Sequence, residues 1–254
     1  MDISTVRAMI VGGASGMARA TAERIAAAGG KVAILDRPGT EGAAVAAAIG
    51  GVFFECDVTD FAGTEAVIAG ATEALGGLDV AVNTAGGGIG AKTIGKDGTP
   101  HDLDAFRQVI DLNLVATFNL NRLQAFHMSK NEPNEDEERG VIINTASIAA
   151  FEGQIGQVAY GAAKAGIAGM SLTMARDLGS LGIRVNAIAP SLFNTGATKG
   201  LPEEFRAPLT KDAAFPKRMG QPDEYARLAV AIIDNPMLNG GTIRLDGGQR
   251  FAPR

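Results

Sequence analysis

Residues Val11–Ile25, "VGGASGMARATAERI", decide how the fold begins. The apolar run Arg7–Val11 leads directly into this stretch, which opens with glycine and continues as an alanine-rich segment with helical periodicity. Gly12 and Gly16 therefore lie in a turn between a predicted strand and a predicted helix. Glycine lets the backbone of such a turn come close to another group, because no side chain keeps that group away. The stretch predicts a strand–turn–helix unit whose turn is open to a ligand.

The same alternation of short apolar runs and longer helical patterns continues along the chain. Strands separated by helices of this length indicate βαβ units and a parallel sheet, and apolar runs without alternation are typical of strands covered on both faces. The sequence therefore predicts an α/β protein with a Rossmann-type, doubly wound, seven-stranded parallel sheet. The predicted strands are Arg7–Val11, Lys31–Asp36, Val52–Glu55, Asp79–Asn83, Val141–Thr145, Arg184–Ile188 and Thr242–Leu245. The predicted helical segments are Ala18–Ala28, Gly42–Ile49, Thr64–Leu75, Leu103–Met128, Val158–Leu178 and Pro222–Asp234.

The chain of 254 residues shows no internal repeat and no linker, so we expect a single domain over residues 1–254. Two segments interrupt the alternation. The polar run Lys130–Gly140 is interpreted as a solvated loop. The segment Ser191–Phe215 is long for a connection between a helix and a strand, and we expect it to be a substrate loop.

Composition excludes several classes of protein. A net charge of -5 disfavours binding to nucleic acid or to anionic membranes, and no apolar run is long enough to span a bilayer. The first residues lack the basic region and apolar core of a signal peptide. One cysteine, Cys56, suits a reducing compartment, and the two histidines lack metal-ligand spacing. We expect a cytoplasmic protein without a metal.

Asp36 closes the second predicted strand, 20 residues after Gly16. A dinucleotide-binding fold places an acid there to hold the adenine ribose diol, while the glycine turn receives the pyrophosphate at the helix N-terminus. A carboxylate repels a ribose 2′-phosphate, so the sequence favours NAD over NADP. Arg37 tempers this preference, because an arginine can turn toward such a phosphate.

Two further strand ends belong to the same predicted binding site. Asp57 and Val58 follow the third strand, and the "NTAG" of Asn83–Gly86 follows the fourth. Open α/β sheets bind ligands beyond the carboxyl ends of their parallel strands, so both segments are expected to line the cofactor.

Four polar residues are candidates for the chemistry: Asn113, Ser147, Tyr160 and Lys164. Tyr160 and Lys164 are four residues apart in a predicted helix, so the phenol and the ammonium share one face. The ammonium, together with a cationic nicotinamide ring, favours the phenolate and lowers the pKa of the phenol. A serine hydroxyl beyond a strand end can hold the substrate oxygen. Each residue alone has a structural interpretation, as a cap, a core amide, a packed ring or a solvated charge, but jointly they indicate a catalytic site.

These elements resemble the short-chain dehydrogenase/reductase family over essentially the whole chain. The resemblance rests on the glycine turn Gly12–Ala18, the "NTAG" segment, Asn113, Ser147 and the Tyr160-x-x-x-Lys164 pair. The stretches 140–170 and 233–250, the "NEP" at 131–133 and the "APSLFNT" at 189–195 further resemble the type-2 3-hydroxyacyl-CoA dehydrogenases.

The resemblance implies roles for the residues. Tyr160 is expected to be the acid/base, Ser147 to orient the substrate oxygen, Lys164 to bind the nicotinamide ribose and Asn113 to support a proton-carrying water. It also implies a homotetramer with the apolar helices Leu103–Met128 and Val158–Leu178 buried between subunits. The expected cofactor-binding residues are Gly12, Ser15, Gly16, Met17, Asp36, Asp57, Val58, Asn83, Ala85, Gly86, Tyr160, Lys164, Pro190 and Thr195.

Three positions depart from the family pattern. Val11 and Ala18 stand where the family's turn has threonine and glycine, and Ser191 replaces the usual glycine after Pro190. The function expected from the resemblance is NAD-dependent interconversion of a 3-hydroxyacyl-CoA and a 3-oxoacyl-CoA. The alternatives are a hydroxysteroid dehydrogenase, a 3-oxoacyl-carrier-protein reductase, or a catalytically silent dinucleotide-binding sensor or scaffold.

Overall fold

The seven predicted strands form one sheet in which every neighbouring pair is parallel. The computed structural model describes residues 1–198, 202, 204 and 209–252. The strands are β1 (Arg7–Val11), β2 (Lys31–Asp36), β3 (Val52–Glu55), β4 (Val80–Asn83), β5 (Gly140–Thr145), β6 (Ile183–Pro190) and β7 (Thr242–Leu245). The strand order across the sheet is β3-β2-β1-β4-β5-β6-β7, so the direction of winding reverses between β1 and β4. Such a reversal opens a crevice beyond the carboxyl ends of the strands.

Helices cover both faces of this sheet. Those in the described part of the chain are α1 (Gly16–Ala27), α2 (Gly42–Ala48), α3 (Gly63–Leu75), α4 (Leu103–Ile110), α5 (Ala116–Met128), α6 (Val158–Leu178) and α7 (Pro222–Asp234). Met9 and Ile142 point to the face covered by α3, α5 and α6. Ile10 and Ile143, the next residues along the same strands, point to the face covered by α1, α2 and α7. The predicted doubly wound α/β fold is confirmed, and the strands are apolar throughout because both faces are buried.

The predicted continuous helix Leu103–Met128 is interrupted. A π-helical turn, Asp111–Val115, separates α4 from α5 and contains Asn113. The side-chain amide of Asn113 donates to the carbonyl of Val109 at 2.8 Å, so a side chain takes an acceptor that the helix backbone would otherwise use. Helical periodicity could not predict this widened turn, because the apolar pattern continues through it.

Other differences concern the ends of strands. Asp79, predicted to begin the fourth strand, lies outside it, and its carboxylate accepts bonds from N and Nε of Arg7, both at 2.8 Å. β6 continues beyond its predicted end at Ile188, because β7 pairs with its last four residues through Pro190. These shifts leave the topology unchanged.

The two predicted loops have different outcomes. Lys130–Gly140 connects α5 to β5, as expected. The expected substrate loop 191–215 includes residues 199–201, 203 and 205–208, which lie outside the described residues. Before them, Gly196–Thr198 forms a 3-10 turn. None of the helices in the described ranges combines the length and the apolar character of a membrane span.

Candidate active site

A cavity of about 670 Å³ lies beyond the carboxyl ends of the central strands. It brings together the glycine turn after β1, the acid that ends β2, the segments after β3, β4 and β5, and the first half of α6. Asn83 and Asn113 are the two predicted site residues that do not line it. The predicted residues that do are Gly12, Ser15, Gly16, Met17, Asp36, Asp57, Val58, Ala85, Gly86, Ser147, Tyr160, Lys164, Pro190 and Thr195.

The glycine turn needs its bare backbone. Gly12 has a φ of +83°, and a Cβ built there would lie 2.6 Å from Oγ1 of Thr84. That hydroxyl donates to the carbonyl of Val11 at 3.0 Å, so Thr84 ties the turn to the segment after β4 although Val11 brings no hydroxyl of its own. Gly16 has a φ of +57° and begins α1. The first N–H groups of a helix have no partner within it, which fits a pyrophosphate at this end of the cavity.

Asp36 serves the turn as well as the cavity. One carboxylate oxygen accepts a hydrogen bond from the backbone of Ala14 at 2.9 Å, and the other accepts from the backbone of Arg37 at 2.8 Å. Arg37 also lines the cavity. At the next strand end, hydrogen bonds from the side chain and backbone of Thr59 hold the pKa of Asp57 below its usual range. A ribose diol in this region would meet acceptors that are already held in place.

The departures from the family pattern are accommodated in the structure. Ala18 is 1% exposed and packs in the apolar core beneath α1, where its small side chain fits. Ser191 directly follows β6, and its backbone N–H donates to the carbonyl of Leu245, the last residue of β7, at 3.1 Å.

Lys164 is buried at the inner end of the cavity. Its Nζ donates to the carbonyl of Thr145 at 2.8 Å and lies 5.6 Å from the centroid of the Tyr160 ring. The side chain is 3% exposed, and burial lowers the pKa of the ammonium to about 8. The predicted sharing of one helix face by these two residues is therefore realised in α6.

Tyr160 and Ser147 meet in the same cavity. Burial raises the pKa of the Tyr160 phenol, and a hydrogen bond with the Ser147 side chain opposes the rise. The lowering of this pKa predicted from the sequence involves the nicotinamide cation together with Lys164, and it stays a prediction. Ser147 lies just past β5, where its Oγ accepts from the backbone of Ala149 at 3.1 Å and caps a short 3-10 turn. Ser147 has one hydroxyl hydrogen, which it can donate either to the Tyr160 oxygen or to a ligand oxygen.

Asn113 is fully buried and fixes the segment after β4. Its amide nitrogen donates to the carbonyl of Gly87 at 2.6 Å, and its Oδ1 accepts from the backbone of Gly87 at 3.2 Å. A Cβ built on Gly86 would lie 2.6 Å from this Oδ1 and 3.3 Å from Nζ of Lys164. The three residues Gly86, Asn113 and Lys164 therefore pack as one unit, although Asn113 does not line the cavity.

Asn83 belongs to a cluster of buried amides instead of the cavity. Its Nδ2 shares two hydrogens among the side-chain oxygens of Asn121, Gln124 and Asn144, which lie 3.0, 2.9 and 3.1 Å away. This cluster joins β4 and β5 to α5. Its contacts position the strand that carries Ala85 and Gly86 at its end.

Sequence reasoning missed several residues of the cavity lining. Thr84 lies inside the "NTAG" segment that was expected at the cofactor, and a hydroxyl two residues before Ser147 is the signal that could have found Thr145. The hydroxyl oxygen of Thr198 lies 2.6 and 2.7 Å from the carbonyl oxygens of Phe193 and Thr195, which share its one hydrogen, and no motif marked this residue. The missed lining residues are Leu35, Cys56, Gly87, Leu112, Thr145, Ala146, Leu192, Phe193, Gly196 and Thr198.

Residues 7–205 match the family described as short chain dehydrogenase. The chain is 48% identical over 254 residues to "3-hydroxyacyl-CoA dehydrogenase type-2" of Drosophila melanogaster, covering 99% of this chain and 100% of that protein. It is 50% identical over 249 residues to the protein of the same name from Homo sapiens, covering 97% and 95%.

A solved structure has the same fold. The crystal structure of 3-hydroxyacyl-CoA dehydrogenase type-2 from Mycobacterium avium superposes with a TM-score of 0.93 at 43% sequence identity, over 98% of this chain and 97% of that one. The likeness extends over the sheet and over the segments that line the cavity.

Proposed function

The chain belongs to the short-chain dehydrogenase family, and on that premise we propose that it is an NAD-dependent 3-hydroxyacyl-CoA dehydrogenase. Membership makes it an oxidoreductase that uses a nicotinamide dinucleotide. The observation that carries the proposal is that the glycine turn, Asp36, Ser147, Tyr160 and Lys164 all open onto one cavity. A dinucleotide bound there supplies a hydride acceptor or donor at the nicotinamide.

Tyr160 is the proposed general acid/base. When the substrate alcohol is oxidised, the Oη of Tyr160 takes the hydroxyl proton, and in the reverse direction it returns the proton to the ketone oxygen. Ser147 donates a hydrogen bond to that same substrate oxygen and so orients it toward the phenol. Because burial holds the phenol protonated in the protein alone, a nearby positive charge is needed to make it a base near neutral pH.

Lys164 supplies part of that charge and binds the nicotinamide ribose hydroxyls. Its carbonyl partner at Thr145 leaves two of the three ammonium hydrogens for other acceptors. Asn113 holds both backbone groups of Gly87 and thereby maintains the opposite side of the cavity. The proton-carrying water expected beside Asn113 stays a prediction.

The preference for NAD over NADP rests on Asp36. Its carboxylate oxygens accept charge-assisted bonds from a ribose diol, whereas a 2′-phosphate would bring like charges together. The remaining cofactor residues predicted from the sequence are proposed to complete the binding site.

The 3-hydroxyacyl-CoA substrate is proposed from the relatives. Two proteins of that name share 48% and 50% identity with this chain along nearly its whole length. A hydroxysteroid dehydrogenase and a 3-oxoacyl-carrier-protein reductase are the rival activities. The silent sensor or scaffold is disfavoured by the complete set of Ser147, Tyr160 and Lys164.

We also propose one domain, with 191–215 as its substrate loop, and assembly as a homotetramer. Large apolar side chains remain exposed on the two helices expected at the interface: Phe118 (51%) and Phe126 (56%) on α5, with Val158 and Leu172 (both 47%) on α6. Covering them would bury apolar area that otherwise faces water. A monomeric mass at micromolar concentration, measured by light scattering, would exclude the tetramer. The cytoplasmic location stays a prediction.

The function is tested by following NADH absorbance with acetoacetyl-CoA. We expect steady consumption of NADH, and the reverse reaction with 3-hydroxybutyryl-CoA and NAD. A panel of short, long and branched 3-hydroxyacyl-CoAs is then compared with hydroxysteroids and with a carrier-protein thioester. Higher kcat/KM for a steroid or a carrier-protein substrate would overturn the proposed substrate, and NADH binding without any turnover would indicate a silent protein.

A further inference from the structure

The second tyrosine of the chain is buried behind the active site. Tyr225 lies on α7, is 0% exposed, and its hydroxyl is 2.7 Å from the Oγ1 of Thr145. Burial raises the pKa of Tyr225 far above neutrality, so the group is a neutral hydroxyl. Within the described ranges, Thr145 is its only hydrogen-bond partner. A buried hydroxyl with one polar partner holds that partner in a defined place, since separating the two would leave both unsatisfied.

Thr145 connects the two faces of the sheet. Its side chain points toward α7, on the face of Val141 and Ile143, while its carbonyl accepts the Nζ of Lys164 from α6. One residue thus has Tyr225 on one side and Lys164 on the other.

Thr145 lies where the pairing of the central strands ends. β4 pairs with β5 as far as Asn144, whereas β6 pairs with Thr145 through Ile188. The carbonyl of Thr145 is accordingly the acceptor of Lys164. Thr145 is the last residue of β5, and the bond to Tyr225 is a further tether at this position.

We propose that Tyr225 is a positioning residue of the active site, which holds Thr145 so that its carbonyl keeps the Lys164 ammonium beside Tyr160. This inference rests on the proposed function in one respect, because it takes Lys164 to bind the cofactor ribose and to favour the Tyr160 phenolate. Tyr225 itself touches neither the cavity nor Lys164.

Loss of the tether has a defined electrostatic consequence. Polar groups of the described residues that face Lys164 are Tyr160 on its own helix, the carbonyl of Thr145 on β5, and Oδ1 of Asn113 across Gly86. Tyr160 is the only one that titrates. A displaced carbonyl therefore leaves the ammonium less stabilised, so Lys164 loses its proton at lower pH and Tyr160 loses its proton at higher pH.

The test compares Tyr225→Phe, Thr145→Val, the double variant and Thr145→Ser. Tyr225→Phe removes one oxygen and keeps the ring, whereas Thr145→Ser keeps the hydroxyl. Ser171→Ala is the matched control. Ser171 lies on α6 and is fully buried, as Tyr225 is, but its hydroxyl donates to the carbonyl of Ile167 in the same helix. Each variant is checked for folding by circular dichroism and thermal unfolding.

Two quantities are measured: the pH profile of kcat/KM for 3-hydroxybutyryl-CoA oxidation, and the Kd of NADH from its fluorescence. For Tyr225→Phe and Thr145→Val we expect kcat/KM to fall about tenfold. In the pH profile, the apparent pKa of the rising limb, which reports Tyr160, should increase by about half a pH unit. The apparent pKa of the falling limb, which reports Lys164, should decrease by about the same amount. NADH Kd should rise about threefold to tenfold. The double variant should resemble either single variant, Thr145→Ser should lose less than Thr145→Val because it keeps the hydroxyl, and Ser171→Ala should resemble the wild type.

The proposal would be overturned if folded Tyr225→Phe kept the wild-type pKa values of both limbs and the wild-type affinity for NADH. It would also be overturned if the losses of kcat/KM in the two single variants added up in the double variant. A uniform loss of rate with no shift of either limb would show a merely structural role and would also overturn it. NADH binding separates this inference from the proposed function: if no substrate is turned over, the variants must still weaken NADH binding for the inference to hold.

Discussion

The carboxylate of Asp36 accepts a hydrogen bond from the backbone N–H of Ala14 at 2.9 Å, which ties the end of β2 to the glycine turn after β1. Asp36, which is expected to set the preference for NAD over NADP, therefore also holds the loop that is expected to bind the pyrophosphate. A substitution at this position changes charge and backbone support together, and the two effects must be separated by the choice of variant.

Cofactor preference should depend on Asp36. We expect wild-type kcat/KM to favour NAD over NADP roughly 30- to 1000-fold, from a repulsion of a few kcal/mol between the carboxylate and a 2′-phosphate. Asp36→Ala should lose NAD affinity and gain NADP activity, since Arg37 remains. Asp36→Asn also removes the charge but keeps an acceptor for Ala14, so it should bind NADP more tightly than Asp36→Ala. Equal use of both cofactors by the wild type would contradict the argument.

Tyr160→Phe should abolish most turnover and leave NADH binding intact. The ring remains in place and only the proton-transferring hydroxyl is lost, so kcat should fall about 100- to 10,000-fold. Stopped-flow fluorescence of NADH supplies the binding control. A variant that keeps more than a few per cent of the wild-type rate would show that another group moves the proton.

Ser147→Ala should lower kcat with little change in NADH affinity. The hydroxyl is assigned to the substrate oxygen, and it also accepts a bond from the backbone of Ala149. Loss of that cap should lower the free energy of unfolding by about 1 kcal/mol. Ser147→Thr is the control that keeps the hydroxyl. If NADH affinity fell as much as kcat, the serine would belong to the cofactor site instead.

Lys164→Ala should lower both turnover and NADH affinity, and Lys164→Met should do the same while preserving the side-chain volume.

Lys164→Met should also stabilise the fold at pH 7 by about 1–3 kcal/mol, because a buried ammonium is removed. The native amine has its pKa lowered to about 8 from 10.5, so the unfolded chain binds more protons between these values and wild-type stability rises with pH there. The advantage of Lys164→Met should shrink from pH 8 to 10.5 in denaturant titrations. An advantage that stayed constant over this range would be inconsistent with a charged buried lysine.

Gly86→Ala should lower kcat about tenfold or more, because the added Cβ would lie 2.6 Å from Oδ1 of Asn113 and would push on Lys164. Gly90→Ala is the matched control in the same loop, since a Cβ there meets nothing within 4 Å. Comparable losses of kcat/KM in both variants would mean that the loop, and not the packing at Lys164, is responsible.

Much of this molecule follows from local sequence. Apolar runs without alternation predicted buried strands, and the helices between them made those strands parallel. The Tyr160–Lys164 spacing predicted one helix face, because helical geometry brings residues four apart together wherever the helix forms. The glycine turn and Asp36 were predictable for the same reason, since both belong to one strand–turn–helix–strand unit.

The tertiary structure alone decided what surrounds these residues. The side chain of Asn83, a residue expected at the cofactor, lies among Asn121, Gln124 and Asn144 where β4 and β5 pack against α5. The helix through Asn113 widens into a π-helical turn, where its side chain holds Gly87. Periodicity does not record such hydrogen bonds between distant segments.

The electrostatic state of the site is likewise a property of the fold. The sequence placed an ammonium next to a phenol, but burial decided the direction of both pKa shifts, since desolvation acts through everything packed around a group. Tyr225 is 80 residues from Thr145 in sequence and meets it only because α7 packs on the back of β5. Sequence thus determined which chemical groups are present and on which elements they lie, whereas contacts between distant elements decided how each group is held and charged.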